Sequence, residues 1–558
     1  MRTTYTLLVC TLLSVLIASC THSSKDSTPS SVLSQPEQEI ALDQSKSHSQ
    51  VVPSPPPPPA AIAESVQGLS AKSALGSSTI EIDRENYLPN EHNRVKQVAT
   101  EPVSTFSVDV DTASYSNVRR MLVNEGRLPP HDAVRVEEMI NYFSYGYETP
   151  TSTKQPFSVT TELAPAPWNT DRHLLQIGLK GYEPPISNRK AANLVFLIDV
   201  SGSMQSSNKL PLVKKSLKLL LKSLDKNDRI ALVVYAGAAG IVLESTPANE
   251  KAKIASAIDQ LRAGGSTHGS AGIKLAYEVA QQNFVDNGIN RVLIASDGDM
   301  NVGTVSIEAL KELIEQKRKS GIALTTLGFG TGNYNYSLME QLADVGNGNA
   351  SYIDNLKEAH KVLVKEAQST LLTIAKDVKI QVEFNPSIVS EYRLIGYENR
   401  ILAREDFAND KVDAGDIGAG HTVTALYELT LASSENRTFQ QLRYGNSAPA
   451  TTNLTTDEVA YVKLRYKIPG ESVSKELEQP VLTASQQNSF STASPDFRFA
   501  SSVAAYGQLL SGSNYTASYS YDDVIEALRD ARGDDSDGYR SELISMVELT
   551  SGLSPITR

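Results

Sequence analysis

The sequence contains little cysteine, which limits the chemistry open to the chain. Cysteine occurs twice among 558 residues, at positions 10 and 20, and neither belongs to a cysteine and histidine cluster with zinc-ligand spacing. The eight histidines are scattered, and none of them forms a His-Glu-x-x-His sequence. A zinc site therefore has little support.

The chain also has fewer positively than negatively charged residues. The chain has 52 lysines and arginines against 64 aspartates and glutamates, which gives a formal net charge of -12. A nucleic-acid-binding surface needs a basic face that neutralises phosphates, so we expect no nucleic-acid partner. The chain is also too long for a single compact core, and we expect two to four domains.

The N-terminus has the pattern of a bacterial signal peptide. Arg2 supplies a positive charge, and residues 5–18 form a neutral or apolar run that is too short to span a bilayer as a helix. The run ends in Leu-Ile-Ala-Ser-Cys at positions 16–20, which resembles the bacterial lipobox. This resemblance implies that residues 1–19 are a signal peptide and that Cys20 is lipidated. The alternative is an ordinary signal peptide with a chance cysteine.

Lipidation is the one evident use for Cys20, because Cys10 would be removed with the signal peptide. The next residue is Thr21 rather than aspartate, which resembles the sorting pattern for the outer membrane of Gram-negative bacteria. We therefore expect a protein of the cell envelope that is attached to a membrane through a lipid anchor at Cys20.

Residues 20–95 are predicted to be a disordered tether. They are rich in serine, proline, glutamine, alanine and lysine, with proline at position 53 and at positions 55–59. Such a composition buries too little apolar surface to fold. A flexible chain of about 75 residues has a root-mean-square span of roughly 50 Å, so the folded part can stand off the membrane.

Residues 96–190 are expected to form an N-terminal domain. It opens with a strand-like alternation and continues with two helical patterns. Asp109 and Asp111 superficially resemble the nucleophile loop of a phosphatase, but the fifth position of that loop is Ala113. We interpret the two carboxylates as helix caps. The three patterns lie at residues 105–111, 115–124 and 134–143.

Between residues 191 and 370, strand patterns alternate with helical ones. Residues 194–198 are a continuous apolar run, which is typical of a strand buried on both faces. Apolar residues then recur at helical spacing from Leu210 to Leu224. The alternation predicts an α/β fold, a doubly wound and mostly parallel sheet with helices on both faces. Further strands are expected at residues 230–235, 240–243, 292–295, 323–327 and 351–353, and helices at 251–261, 270–282, 307–319 and 337–343.

Residues 371–558 return to strand patterns and end in a helical region. No helical pattern separates the strands, so a β-sandwich is expected. Residues 157–163 and 173–178, ahead of the α/β domain, are also strand-like. We therefore expect a sandwich that is discontinuous in sequence, with the α/β domain inserted into it. The later strands are expected at residues 378–384, 392–396, 422–431 and 459–466, and the helices at 495–510, 521–531 and 539–550.

Oxygen-bearing side chains follow the predicted parallel strands. Asp199, Ser201 and Ser203 come directly after the first buried strand, Thr267 lies in a glycine-rich loop, and Asp297 follows another strand. Because ligands bind at the carboxyl ends of the strands in such sheets, we expect these residues to meet at one edge. The alternative is a set of helix N-termini capped by these side chains without a metal ion.

Together these residues resemble the metal-ion-dependent adhesion site of the von Willebrand factor type A family. The resemblance implies that Ser201, Ser203 and Thr267 supply hydroxyl oxygens and that Asp199 and Asp297 supply carboxylates, some of them through water. It implies one Mg²⁺ or Mn²⁺ ion per chain, since magnesium takes six oxygen ligands and readily keeps water among them. An acidic side chain of an unidentified protein ligand would complete the coordination.

A longer stretch, from about residue 105 to residue 558, resembles bacterial YfbK-type lipoproteins. The similar segments are residues 107–115, 264–269 and 392–398. This family places the type A domain between its own N-terminal and C-terminal domains and has no well-defined ligand.

We therefore expect a divalent-metal-dependent protein-binding module, for adhesion or assembly, with no catalytic residue. One alternative is a scaffold without a functional metal site. A less favoured one is a metal-dependent hydrolase that uses Asp297 or His268 as a base.

The lipid anchor is directly testable. In Cys20→Ser the acceptor thiol is lost, so the variant should incorporate no palmitate analogue, whereas Cys10→Ser should be labelled like the wild type. Metabolic labelling of cell-envelope fractions measures this. Labelling of Cys20→Ser at the wild-type level would show that the anchor lies elsewhere.

Overall fold

The computed structural model describes residues 85–108, 111–152, 154–185, 190–267, 269–298, 306–440 and 457–554. Cys20, the expected signal peptide and the first part of the expected tether lie outside these ranges. Within the ranges, no helix is both long enough and apolar enough to cross a membrane.

The N-terminal segment combines two strands, two short helices and a long β-hairpin. The helix expected at residues 115–124 is α-helical as far as Arg119 and then continues as a π-helical turn over Arg120–Asn124. The hairpin strands pair over nearly their whole length. The elements are β1 (Lys96–Gln97), β2 (Val103–Ser107), α1 (Ala113–Arg119), α2 (Val136–Asn141), β3 (Phe157–Ala166) and β4 (Asn169–Gly181).

The α/β domain follows, and its strands and helices as far as residue 353 come in the predicted order, whereas the two short α-helices after it were not predicted. The elements are β5 (Ala192–Asp199), α3 (Leu210–Ser223), β6 (Arg229–Tyr235), β7 (Ala239–Pro247), α4 (Lys251–Gln260), α5 (Gly269–Gln282), β8 (Ile289–Ser296), α6 (Ile307–Lys319), β9 (Ala323–Phe329), α7 (Tyr336–Val345), β10 (Ala350–Ile353), α8 (Leu356–His360) and α9 (Ala367–Leu371). The strands form a sheet in the order β10-β9-β8-β5-β6-β7, in which β7 runs antiparallel to its neighbour and the other pairs are parallel.

Strand β5 shows why the sheet is covered on both faces. All eight of its residues are buried. Leu194 and Phe196 pack in one core with side chains of α3, α4 and α8. Val195 and Leu197 point the other way and pack with α5, α6 and α7. Because successive side chains of a strand alternate between faces, the continuous apolar run needs apolar helices on each side, and the doubly wound prediction is confirmed.

The described residues after the α/β domain consist of strands followed by helices. Their elements are β11 (Thr373–Phe384), β12 (Val389–Ile395), β13 (Gly415–Gly418), β14 (Thr422–Leu431), β15 (Glu458–Lys467), β16 (Lys475–Leu482), α10 (Pro495–Leu510), α11 (Tyr521–Asp530) and α12 (Tyr539–Leu553). One sheet has the order β1-β12-β14-β4-β3, and the other has β13-β11-β15-β16 with β2 also paired to β11.

The sandwich is discontinuous in sequence, as predicted. Strand β4 lies before the α/β domain and pairs with β14, which lies after it. The chain leaves and returns at neighbouring points: the Gly181 N–H donates to the His421 carbonyl at 2.8 Å, and the Ala419 N–H donates to the Leu372 carbonyl at 2.8 Å. The apolar residues of both sheets meet in one core.

Helices cover the outer face of the first sheet. Leu174 and Leu426 of that sheet pack with Tyr115 of α1, Phe497 of α10 and Leu543 of α12. The N-terminal and C-terminal helices therefore share one apolar core and are not separate bodies.

Two features near the start of the fold differ from expectation. Residues 85–95, which the composition assigned to the tether, are part of the fold: Asn86 pairs with Asn335, and the Asn93 side-chain amide donates to the Gly396 carbonyl at 2.7 Å. Amide hydrogen bonds and the packing of Tyr87 against Tyr336 hold this segment, and its average composition predicted neither. The capping role expected for Asp111 is also wrong, because its carboxylate accepts from the Ala350 N–H at 2.8 Å. Asp109 lies outside the described residues.

Arg119 joins three parts of the chain in a buried charge cluster. Its guanidinium donates to the Asp354 carboxylate at 2.8 and 2.5 Å, to Glu358 at 2.7 Å and to Glu542 at 2.8 Å. The Arg119 side chain is 3% exposed, and those of Asp354 and Glu358 are 2% and 1% exposed. The Tyr142 hydroxyl completes the cluster by donating to Glu358 at 2.7 Å.

Removing this arginine should be costly. Arg119→Met leaves two buried carboxylates without their counter-charge, which typically lowers the free energy of unfolding by about 3–5 kcal/mol. Urea denaturation measures the loss. Arg529→Met is the matched control: Arg529 is 62% exposed beside Glu548, and an exposed pair contributes at most about 1 kcal/mol. Equal effects of the two substitutions would contradict the role given to the cluster.

Candidate metal site

The two predicted carboxylates lie at the same edge of the α/β sheet. Asp199 is the last residue of β5, and Asp297 follows the last residue of β8. These strands are parallel neighbours with Ile198 opposite Ala295, so their carboxyl ends coincide. Both aspartates are fully buried.

The loop after β5 brings the first three predicted ligands together. The Asp199 Oδ1 accepts a hydrogen bond from the Ser201 N–H at 2.8 Å, and its Oδ2 accepts one from the Ser296 hydroxyl at 3.2 Å. The hydroxyl oxygens of Ser201 and Ser203 are 2.9 Å apart. A carboxylate and two hydroxyls thus converge within one turn of chain.

The glycine-rich loop before α5 lies against this turn. The Gly202 N–H donates to the Gly265 carbonyl at 3.0 Å, and the Gly264 N–H donates to the Val200 carbonyl at 2.8 Å. Gly265 has a φ of +91°, a conformation that favours glycine. Thr267 follows two residues later and is partly exposed; the approach of its hydroxyl to the other four ligands stays a prediction.

Asp297 has partners that the sequence did not reveal. Its Oδ2 accepts from the Lys209 ammonium at 2.9 Å and from the Asn333 side-chain amide at 3.1 Å. Lys209 also donates to the Asn333 Oδ1 at 2.8 Å. In the sequence, Lys209 precedes a lysine-rich helix and looks like one more solvated lysine. The sequence offered one signal for a role at the site: Lys209 stands shortly after Ser203 and directly before the apolar Leu210, where the helix begins.

The environment of Asp199 disfavours its negative charge. Burial raises the pKa of this carboxyl from 3.8 to about 6, opposed by the hydrogen bonds from Ser201 and reinforced by the nearby charge of Asp297. Burial and the charge of Asp199 also hold the pKa of the Tyr235 hydroxyl well above its usual value. A cation beside Asp199 would offset this cost.

The donor set fits a hard divalent cation. Carboxylate and hydroxyl oxygens are the ligands that magnesium and manganese prefer. Among the described residues, no three histidine, cysteine, aspartate or glutamate side chains form a possible metal site, so the hydroxyl oxygens are an essential part of this one. His268, the other residue considered as a base, lies outside the described residues.

A mostly parallel sheet with an Asp-x-Ser-x-Ser loop at its carboxyl edge defines a von Willebrand factor type A domain, and residues 193–366 match that family. Residues 81–176 match a family described as von Willebrand factor, and residues 369–553 match one described as uncharacterized protein YfbK, C-terminal. Type A domains are modules of protein interaction and often bind a metal ion.

The chain belongs to the YfbK family. It is 47% identical over 478 residues to the uncharacterized protein YfbK of Escherichia coli strain K12, a match that covers 85% of this chain and 82% of the relative. It is 26% identical over 326 residues to the uncharacterized protein sll0103 of Synechocystis, covering 56% and 76% of the two chains. A solved von Willebrand factor type A structure from Catenulispora acidiphila is 15% identical, with a TM-score of 0.40 and coverage of 73% and 90%.

The raised pKa of Asp199 predicts a pH dependence of the metal-free protein. A folded-state pKa of about 6 lies above the ordinary 3.8, so the folded state binds this proton more tightly. This proton contributes at most about 3 kcal/mol to the free energy of unfolding. The contribution is fully present below pH 4 and is lost as the pH rises through 6. Asp199→Asn cannot ionise, so in chelator it should gain stability relative to wild type between pH 4 and pH 7.

Urea unfolding at several pH values measures this difference. Asp259→Asn is the control, because Asp259 is exposed and its pKa is lowered by hydrogen bonding to Lys218. Its stability relative to wild type should not rise with pH. A constant difference between wild type and Asp199→Asn across this range would contradict the burial argument.

Proposed function

We propose that this chain is a divalent-metal-dependent protein-binding module of a bacterial cell-envelope lipoprotein. Asp199, Ser201, Ser203, Thr267 and Asp297 hold one Mg²⁺ or Mn²⁺ ion in this proposal. The observation that carries it is the convergence of buried Asp199 with two hydroxyls that are 2.9 Å apart, beside a second buried carboxylate.

The composition of the site favours binding over catalysis. Two carboxylates and neutral hydroxyls do not fill six coordination positions, so an ion held here keeps open positions and can accept a carboxylate from a partner. The ion would supply an electrophilic point of attachment. The chain's own residues would orient it: Ser201 and Ser203 through the turn after β5, and Asp297 through the hydrogen bond that it accepts from the Asn333 amide.

The hydrolase alternative is less well supported. A general base must be free to take a proton from water or substrate, and the Asp297 Oδ2 already accepts two hydrogen bonds. We therefore propose that the protein is not an enzyme. The scaffold alternative makes a different prediction, since a scaffold binds its partners equally well without metal.

The location of the protein is part of the proposal. A lipid anchor at Cys20 would attach the chain to a membrane of the cell envelope, most simply the outer membrane of a Gram-negative bacterium. Residues 21–84 then separate the anchor from the first described residue, Glu85.

Metal binding should stabilise the fold. An ion that binds only the folded state adds about 2.7 kcal/mol at a hundredfold excess over its dissociation constant. The melting temperature should therefore rise in millimolar magnesium or manganese compared with chelator. Asp199→Ala should abolish the rise and remain folded, because the core consists of the apolar sheet and helix faces, whereas Asp259→Ala should keep it.

The same variants test partner binding. Immobilised wild-type protein should retain envelope proteins in magnesium and release them in chelator, and Asp199→Ala should retain none of the cation-dependent set. Identical melting with magnesium, manganese and chelator would remove the basis of the proposal. Equal retention in chelator would instead favour the scaffold.

A further inference from the structure

Lys209 places a buried positive charge next to the candidate metal site. Its side chain is 8% exposed, and its ammonium lies 2.9 Å from the fully buried carboxylate of Asp297. The stem of this lysine crosses a loop that leaves room only for glycine: a Cβ on Gly330, which has a φ of +83°, would lie 2.3 Å from the Lys209 Cε. The lysine is therefore built into the fold.

Two roles for Lys209 predict opposite effects on metal binding. As a hydrogen-bond donor it would hold Asp297 in place and strengthen binding. As a charge it would repel a cation that shares Asp297 and weaken binding. The repulsion acts in a water-poor setting, where it is stronger than in solvent.

The positioning role is duplicated by neighbouring groups. The Asn333 amide donates to the same Oδ2 of Asp297 at 3.1 Å. The chain just after Asp297 is also held, since the Gly298 N–H donates to the Ser296 hydroxyl at 3.0 Å and Gly298 has a φ of +83°. Among these groups only Lys209 carries a positive charge, because Asn333 and Ser296 are neutral. The charge should therefore dominate the effect of Lys209.

We propose that Lys209 is a built-in counter-ion that weakens metal binding at this site. It neutralises Asp297 while no ion is bound, and a divalent cation binds against its charge. The site then fills and empties with changes in cation concentration and does not hold an ion permanently. This inference rests on the proposed metal site and adds the way in which its occupancy is set.

Neutral variants of Lys209 test the proposal. Lys209→Met keeps an unbranched stem, and Lys209→Gln keeps a hydrogen-bond donor, but both lack the charge. Each should bind Mg²⁺ and Mn²⁺ about tenfold more tightly than wild type. Because the repulsion scales with the charge of the ion, the gain for Tb³⁺ should be larger, about thirtyfold. Isothermal titration calorimetry measures the divalent ions, and terbium luminescence measures the trivalent one.

Two matched variants separate charge from geometry. Lys209→Arg keeps the charge and should bring no gain in affinity, and Asn333→Ala removes a neutral donor from the same oxygen and should likewise bring none. Unchanged or weaker binding in both neutral variants, or equal gains for divalent and trivalent ions, would overturn the proposal. If wild type binds the ions and neither neutral variant binds them more tightly, only this inference fails and the proposed metal site stands. Absence of binding in every variant defeats the proposed metal site as well.

Discussion

The Arg119 cluster is the interaction on which the arrangement of the whole fold depends. One guanidinium is shared by Asp354 and Glu358 of the α/β domain and by Glu542 of the last helix. Burying so many charges is expensive, and a buried ion pair often adds little stability over an apolar contact. What the cluster does supply is a direct link, because one guanidinium donates hydrogen bonds to carboxylates of the other two parts. The inserted α/β domain is thereby held against α1 and α12.

The loop between β9 and α7 links the candidate metal site to the first described residues of the fold. Asn333 of this loop donates to Asp297 at 3.1 Å, and the N–H of Gly332 donates to the carboxylate of Glu85 at 3.0 Å. Asn86 pairs with Asn335 in the same loop. Glu85 and Asn86, the first residues that the structure describes, therefore lie beside the loop that holds the second carboxylate of the candidate site. The buried carboxylate of Asp199, whose pKa is raised by burial, costs stability when it is ionised, and such a cost is typical of positions kept for binding.

Much of the architecture could be predicted because its cause is local. The apolar run at residues 194–198 indicates burial on both faces, and β5 is indeed central in its sheet. The strand patterns before and after the α/β domain indicated a divided sandwich, because each needed a second sheet. Prediction failed where polar groups replace apolar packing. Asn93 and Asp111 are held by hydrogen bonds to Gly396 and Ala350, and neither composition nor spacing reveals such partners.

The candidate site, too, has features with a local cause and features that depend on contacts between distant residues. Asp199, Ser201 and Ser203 lie within five residues of one another, so the sequence alone determines that a carboxylate and two hydroxyls share one turn after a buried strand. Lys209 and Asn333 are 124 residues apart, and Lys209 and Asp297 are 88 apart. Only the tertiary structure decides that these groups meet, because their contact depends on the parallel register of β5 and β8 and on a glycine that lets the lysine pass. The sequence thus determined which oxygen-bearing side chains lie at this edge, and the fold decided the charge that surrounds them.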